Sequence, residues 1–262
     1  MGLSFSYDCS RYPVWSQFYV SQNFETLRHC FKEAVLRRGA PRLVYSDNAR
    51  IYRSQQFEFI CASLGSTLIH STPFEANGRG KIERFFRTVR LRFLSGVNVE
   101  GINSLDALNA AYFKWLEDDY TKKAHKGLNG LTPHDVLMSQ VENLTLPTDL
   151  RLVDEIFLHR VSRKVQHDAT IQIENTLYET EPAFANRRLE VRYAPEWLGD
   201  EAKKLPLYLD GKKIGETWMV RFYDNARAKR KFPGNRKPKA DAAGNAGSVI
   251  SYSDMMGGDN NV

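Results

Sequence analysis

From residue 43 onward, short apolar runs alternate with amphipathic stretches of helix length, and few folds accept that rhythm. Leu43–Ser46 is a four-residue run suited to a buried strand. Phe57, Ile60 and Leu64 follow at helical spacing and stop at Gly65, and Thr67–His70 is a second short run. Ile82, Phe85, Phe86, Val89 and Phe93 make a third helical stripe. Leu105, Leu108, Tyr112 and Leu116 make a fourth, with Asn103 or Ser104 as its N-cap. Upstream, Leu3–Tyr7 and Val14–Val20 read as strands around a turn at Ser10-Arg11-Tyr12-Pro13. A helix beginning near Asn23 carries Phe24, Leu27, Phe31 and Val35, and Gly39 with Pro41 ends it. Strands that alternate with helices imply an α/β domain.

The pattern changes near residue 150. From Glu155 to about Val220, short alternating runs separated by turns dominate: Thr170–Glu174, Leu189–Tyr193, Leu205–Leu209 and Lys213–Trp218, with Asp210-Gly211 as a hairpin turn. Three regions are therefore expected: an α/β core over 1–150, a small all-β barrel over 151–224, and a basic tail over 225–262. Residues 229–247 are rich in Lys, Arg, Pro, Gly and Ala, a composition that favours disorder. Val249-Ile250-Ser251-Tyr252 is short and apolar enough to dock elsewhere.

Composition narrows the function classes. The net charge is +6 and the pI about 9.1, which suits a nucleic-acid partner without requiring one. Cys9, Cys30 and Cys61 are odd in number and scattered. They match neither a disulfide framework nor a zinc pattern and point to a reducing cytoplasm. No apolar run is long enough to span a membrane.

Two acids stand out. Asp47 closes the Leu43–Ser46 run, and Glu83 opens a basic amphipathic helix, with 35 residues (48 to 82) between them. An acid at a strand tip and an acid on a helix can converge on one Mg²⁺ site, because Mg²⁺ takes one or two carboxylates plus phosphate oxygens. Lys81, Arg84, Arg87, Arg90 and Arg92 give five cations against one acid in residues 81–92. On a helical wheel Arg79, Glu83, Arg87 and Arg90 share one flank, as a phosphate-facing helix would need. His70 and Asn77 are candidates for the same mouth, and His125 reads as a packing or capping residue.

These residues sit in recurring words: Asp8-Cys9-Ser10-Arg11, Arg38-Gly39-Ala40-Pro41, Ser46-Asp47-Asn48, His70-Ser71-Thr72-Pro73-Phe74, Gly80-Lys81-Ile82-Glu83-Arg84-Phe85-Phe86, and His125-Lys126-Gly127-Leu128 before Leu131-Thr132-Pro133. Over roughly residues 3 to 140 the chain resembles the DDE transposase and retroviral integrase superfamily, and most closely insertion-sequence transposases. Arg163-Lys164-Val165, Leu177-Tyr178-Glu179 and Val191-Arg192-Tyr193-Ala194-Pro195 resemble the C-terminal barrel of Mu-type transposases.

The resemblance implies a ribonuclease-H-like integrase core followed by that barrel. It implies a bacterial, cytoplasmic, nucleoid-associated protein that nicks DNA and transfers strands with Mg²⁺, or Mn²⁺ as substitute. Asp47 and Glu83 would be catalytic metal ligands. Arg79, Lys81, Arg84, Arg87, Arg90, Lys229 and Arg230 would be DNA contacts. It also implies transposon-end and target DNA as partners, a homo-multimer, and an accessory ATPase reached through the C-terminal tail. The superfamily's first acid lies on a central strand. Asp8 does not supply it: only one strand fits between Asp8 and the helix near Asn23, where the family fold needs two, so Asp8 reads as a turn residue. The chain then begins one strand late, and the sheet has an open slot between Leu3–Tyr7 and Leu43–Ser46. A misplaced start, a decayed element or a strand from another polypeptide would each account for it, and a catalytically inactive DNA-binding or assembly protein is the alternative function.

Overall fold

The computed structural model describes residues 1–71, 80–97 and 101–220. Strands β1 (Gly2–Ser6) and β2 (Pro13–Phe18) pair antiparallel, with Leu3 opposite Gln17 and Phe5 opposite Trp15. Helix α1 (Phe24–Arg38) starts at Asn23, whose side chain accepts from the Thr26 N–H while the Thr26 side chain returns a bond to the Asn23 backbone. Gly39 ends it at φ +83, donating its N–H to Val35 O. Strand β3 (Leu43–Ser46), helix α2 (Gln55–Ser63) and strand β4 (Thr67–His70) then form a parallel crossover unit, with Val44 opposite Leu68 and Ser46 opposite His70.

Helix α3 (Gly80–Thr88) runs into a π-helical turn at Val89–Phe93. Helix α4 (Leu105–Trp115) runs into another at Leu116–Tyr120. Ser104, not Asn103, caps α4, accepting from the Ala107 N–H at 3.1 Å. Phe85, Val89 and Phe93 pack against Tyr112, Leu116 and Tyr120 in one aromatic-rich core. The Tyr112 hydroxyl ties that core to β2 through Ser16 Oγ at 2.8 Å.

Two short helices lie beyond the sequence-based expectations. Helix α5 (Pro133–Met138) is capped by Thr132, and α6 (Leu150–Ile156) by Asp149. Val153, Ile156 and Phe157 join Leu27, Phe31, Phe57 and Ile60 in the main core, so the end of the α/β region and the start of the β region share one apolar interior. Strands β5 (His159–Lys164), β8 (Arg188–Tyr193), β9 (Pro206–Leu209) and β10 (Lys212–Glu216) form one antiparallel sheet in the order β10-β9-β8-β5. Strands β6 (Thr170–Ile173), β7 (Thr176–Glu179) and β11 (Trp218–Met219) form a second. Both enclose a core of Ile171, Tyr178, Val191, Leu205 and Leu207.

Asp210 (φ +51) and Gly211 (φ +78) make the β9–β10 hairpin turn, both left-handed as a two-residue turn of this kind requires. The strand expected over Lys213–Trp218 is broken at the buried Thr217. Its N–H donates to Leu205 O and its hydroxyl accepts from the Leu205 N–H, and the chain crosses there from one sheet to the other. Among the described residues no helix is long and apolar enough to cross a membrane.

Candidate active site

β1 and β3 are not hydrogen-bonded to one another; among the described residues each pairs with a single neighbour, β1 with β2 and β3 with β4. A cavity of about 510 Å³ is lined by every residue of both strands. The first turns of α3 border the same cavity, and with them Glu83; Asp47, one residue beyond β3, lines it as well. The two acids picked out by their spacing thus share one cavity. Glu83 lies in the first turn of its helix, where the helix dipole favours a carboxylate.

The neighbours of each acid follow from the local fold. Asp47 Oδ1 accepts from the Ala49 N–H at 2.9 Å, closing a turn directly after the strand. Tyr52 borders the cavity, and its hydroxyl is pushed up to about 12 by burial and then by the negative charge of Asp47. His70 does not face this mouth as a free group: its Nδ1 lies 2.9 Å from Ser46 Oγ across the β3–β4 pair. His125 borders the cavity, and its Nδ1 accepts from the Gly127 N–H at 3.0 Å. Burial first, then the charges of Arg11 and Arg84, hold its imidazole below the ordinary range.

Asp8 is a turn residue with a side chain 78% exposed, paired to Lys81 at 2.5 Å and to Arg11 at 3.7 Å. The five cations of residues 81–92 therefore divide. Lys81 is engaged by Asp8. Arg92 is engaged by Asp119 and lies 5.8 Å from the Trp115 ring centre. Arg84, Arg87 and Arg90 are exposed and, among the described residues, have no acidic partner. Arg79, Asn77, Lys229 and Arg230 lie outside the described residues. Tyr52, Arg11 and Tyr120 border the cavity without having been singled out by sequence. Arg11 had a signal, since it belongs to the Asp8–Arg11 word and adopts φ +59.

Among the described residues no cluster of three or more His, Cys, Asp or Glu could hold a metal ion. The pair of Asp47 and Glu83 fits an ion that uses one or two carboxylates and completes its shell with phosphate oxygens.

The chain thus joins an α/β core, in which Asp47 and Glu83 line one cavity, to a small two-sheet β region. Comparisons show what it is similar to. Residues 154–216 match the family model for the Mu transposase C-terminal region. The transposase for transposon Tn552 of Staphylococcus aureus is 27% identical over 167 residues, 60% of this chain and 35% of that protein. The Pol-related polyprotein of the mouse intracisternal A-particle MIA14 is 36% identical over 64 residues, 24% of this chain and 7% of that protein. The catalytic core domain of BIV integrase aligns at a TM-score of 0.41 and 21% identity, over 51% of this chain and 82% of that one. The chain spans about a third of the length of the Tn552 relative and less of the other. The family-model match places the similarity to the Mu transposase C-terminal region in residues 154–216, within the two-sheet β region.

Proposed function

We propose that residues 1–150 are the strand-transfer core of a DNA transposase or integrase, that 151–224 form its barrel, and that 225–262 form a basic tail. The observation that carries this reading is that Asp47 and Glu83 line one cavity, beside a helix whose three exposed arginines have no acidic partner among the described residues. Asp47 and Glu83 would hold Mg²⁺, or Mn²⁺ in its place. When bound, such an ion polarises phosphoryl oxygens and favours the attacking oxygen as its anion. Arg84, Arg87 and Arg90, with Arg79 and Lys81, position the DNA backbone through phosphate contacts that carry no sequence information. Lys229 and Arg230 add non-specific contacts, and the tail is the region through which an accessory ATPase would be reached. Transposon ends and target DNA are the substrates, and the working form is a homo-multimer.

A second reading has its own support. Two carboxylates make a poor cage without phosphate, and no third ligand completes a cluster among the described residues. On that reading the chain binds DNA and assembles without cutting it. Incubating the full chain with a labelled duplex and Mn²⁺ separates the two. Nicks with free 3′-OH ends that disappear in Glu83→Gln support the enzyme. Binding without nicks, equal in wild type and Glu83→Gln, supports the assembly protein.

A further inference from the structure

The Asp8 carboxylate is not needed to close its own turn. The β1–β2 connection is tied by its backbone, with the Tyr7 N–H donating to Tyr12 O and the Arg11 N–H to Tyr7 O, both at 3.0 Å. The buried Ser10 adds a side-chain contact, its Oγ accepting from the Tyr12 N–H. Among the described residues the Asp8 carboxylate accepts from no backbone N–H. It reaches across to α3 instead, where Oδ2 lies 2.5 Å from Lys81 Nζ, while Oδ1 lies 3.7 Å from Arg11 Nη1.

Two cations from separate elements therefore converge on one small anion. Asp8, Arg11 and Lys81 all line the cavity that Asp47 and Glu83 share. The fit is incomplete. At 3.7 Å the Arg11 contact is too long for a hydrogen bond, and Arg11 Nη1 is buried with no hydrogen-bond partner. A buried donor left unmet is costly. Arg11 is also held firmly, with its backbone left-handed at φ +59, a conformation uncommon for a residue with a Cβ. Asp8, with a side chain 78% exposed, is by contrast a weak and displaceable partner. A phosphate takes the same lysine and arginine donors as a carboxylate and offers them more oxygens.

We propose that Arg11 and Lys81 form a clamp for one phosphate group, that of the DNA backbone, and that Asp8 fills this clamp in the free protein as a competing anion. The assignment to DNA rests on the function proposed above; the clamp rests on the three side chains. Binding releases the Asp8 carboxylate to solvent, and the phosphate meets Lys81 Nζ and the unmet Arg11 Nη1. Lys81 and Glu83 share the first turn of α3, so a phosphate held by Lys81 fixes the strand beside the acids.

Inorganic phosphate and a labelled duplex, each titrated into the full chain, test this together. The Arg11 guanidinium resonance follows the phosphate and fluorescence anisotropy follows the duplex. Phosphate should shift the Arg11 signal. Asp8→Asn should tighten both ligands by about two- to fivefold, the weight of one exposed ion pair. In a chain carrying Lys81→Ala and Arg11→Gln, the same Asp8 substitution should gain nothing. Should that chain fail to fold, Lys81→Ala alone, at an exposed position, should about halve the gain. An equal gain with and without the clamp residues would mean bulk charge and overturn the clamp, as would an Arg11 signal that phosphate leaves unmoved. A phosphate shift at Arg11 with duplex affinity indifferent to Asp8→Asn would assign the site to free phosphate and overturn the DNA source. A chain that takes phosphate in the clamp but binds no duplex at all would refute the proposed function and uphold the clamp.

Discussion

The division of the basic helix into engaged and free arginines yields a quantitative test. Arg87 and Arg90 are exposed and have no acidic partner among the described residues, whereas Arg92 is held by Asp119 beside Trp115. Each phosphate contact contributes about 0.9 to the slope of log affinity against log salt. Arg87→Ala with Arg90→Ala should flatten that slope by roughly 1.8. Between 50 and 200 mM salt the wild type should then lose about tenfold more affinity than the double variant. Exposed positions of this kind change stability by no more than about 0.5 kcal/mol, so the fold serves as its own control. Fluorescence anisotropy with two unrelated duplexes at several salt concentrations measures the slopes. The two duplexes should respond alike, and Arg92→Ala should flatten the slope far less. An unchanged slope in the double variant, or an equal effect from Arg92→Ala, would refute the assignment of these arginines to phosphate; a loss confined to one duplex would mean base reading.

Other expectations concern the scaffold. Phe31, 1% exposed and packed on the rings of Phe5, Phe57 and Phe157, should cost about 3–5 kcal/mol on Phe31→Ala, read by urea unfolding. Gly39 is at φ +83 with its added Cβ falling 2.0 Å from Thr145 O, so Gly39→Ala should cost well over ~1 kcal/mol, and a neutral result would mean that the α1–β3 corner is wrongly described. Glu25 is half-buried; burial raises its pKa, but the hydrogen bond and charge of His159, 2.5 Å away, and then Arg28 outweigh it and hold the carboxyl below 4.5. A depressed acid contributes stability that is present above its unfolded pKa and is lost as pH falls through the folded one. The wild-type melting temperature should therefore drop more steeply below pH 4.5 than that of Glu25→Gln, and parallel curves would remove this contact from the account.

How far the chain explains itself differs by region. β3, α2 and β4 are plain in the sequence, because Leu43–Ser46 and Thr67–His70 are apolar runs cut off by clear punctuation, Gly65 among it. The two acids are legible for the same reason: each stands at the boundary of a periodic segment. β5 escapes because His159–Lys164 carries three charged residues (Arg160, Arg163, Lys164), and its place is set by pairing with β8 rather than by its own pattern. α5 and α6 are too short for helical periodicity to emerge; their caps Thr132 and Asp149 are the available signals. Composition shows five cations near Glu83, but which of them are free depends on Asp8 and Asp119, far away in the chain. The strand count between Asp8 and α1 points to a gap in the sheet, whereas the unpartnered Ser4 Oγ within it needs coordinates.

The central claim is that Asp47 and Glu83 act together on one divalent ion. Titrating Mn²⁺ into the isotopically labelled full chain and following paramagnetic broadening tests it without requiring catalysis. Broadening should centre on Asp47, Glu83 and their neighbours Tyr52 and Arg84, and it should weaken in both Asp47→Asn and Glu83→Gln. Broadening that spares either acid, or that is the same in wild type and both variants, would contradict it.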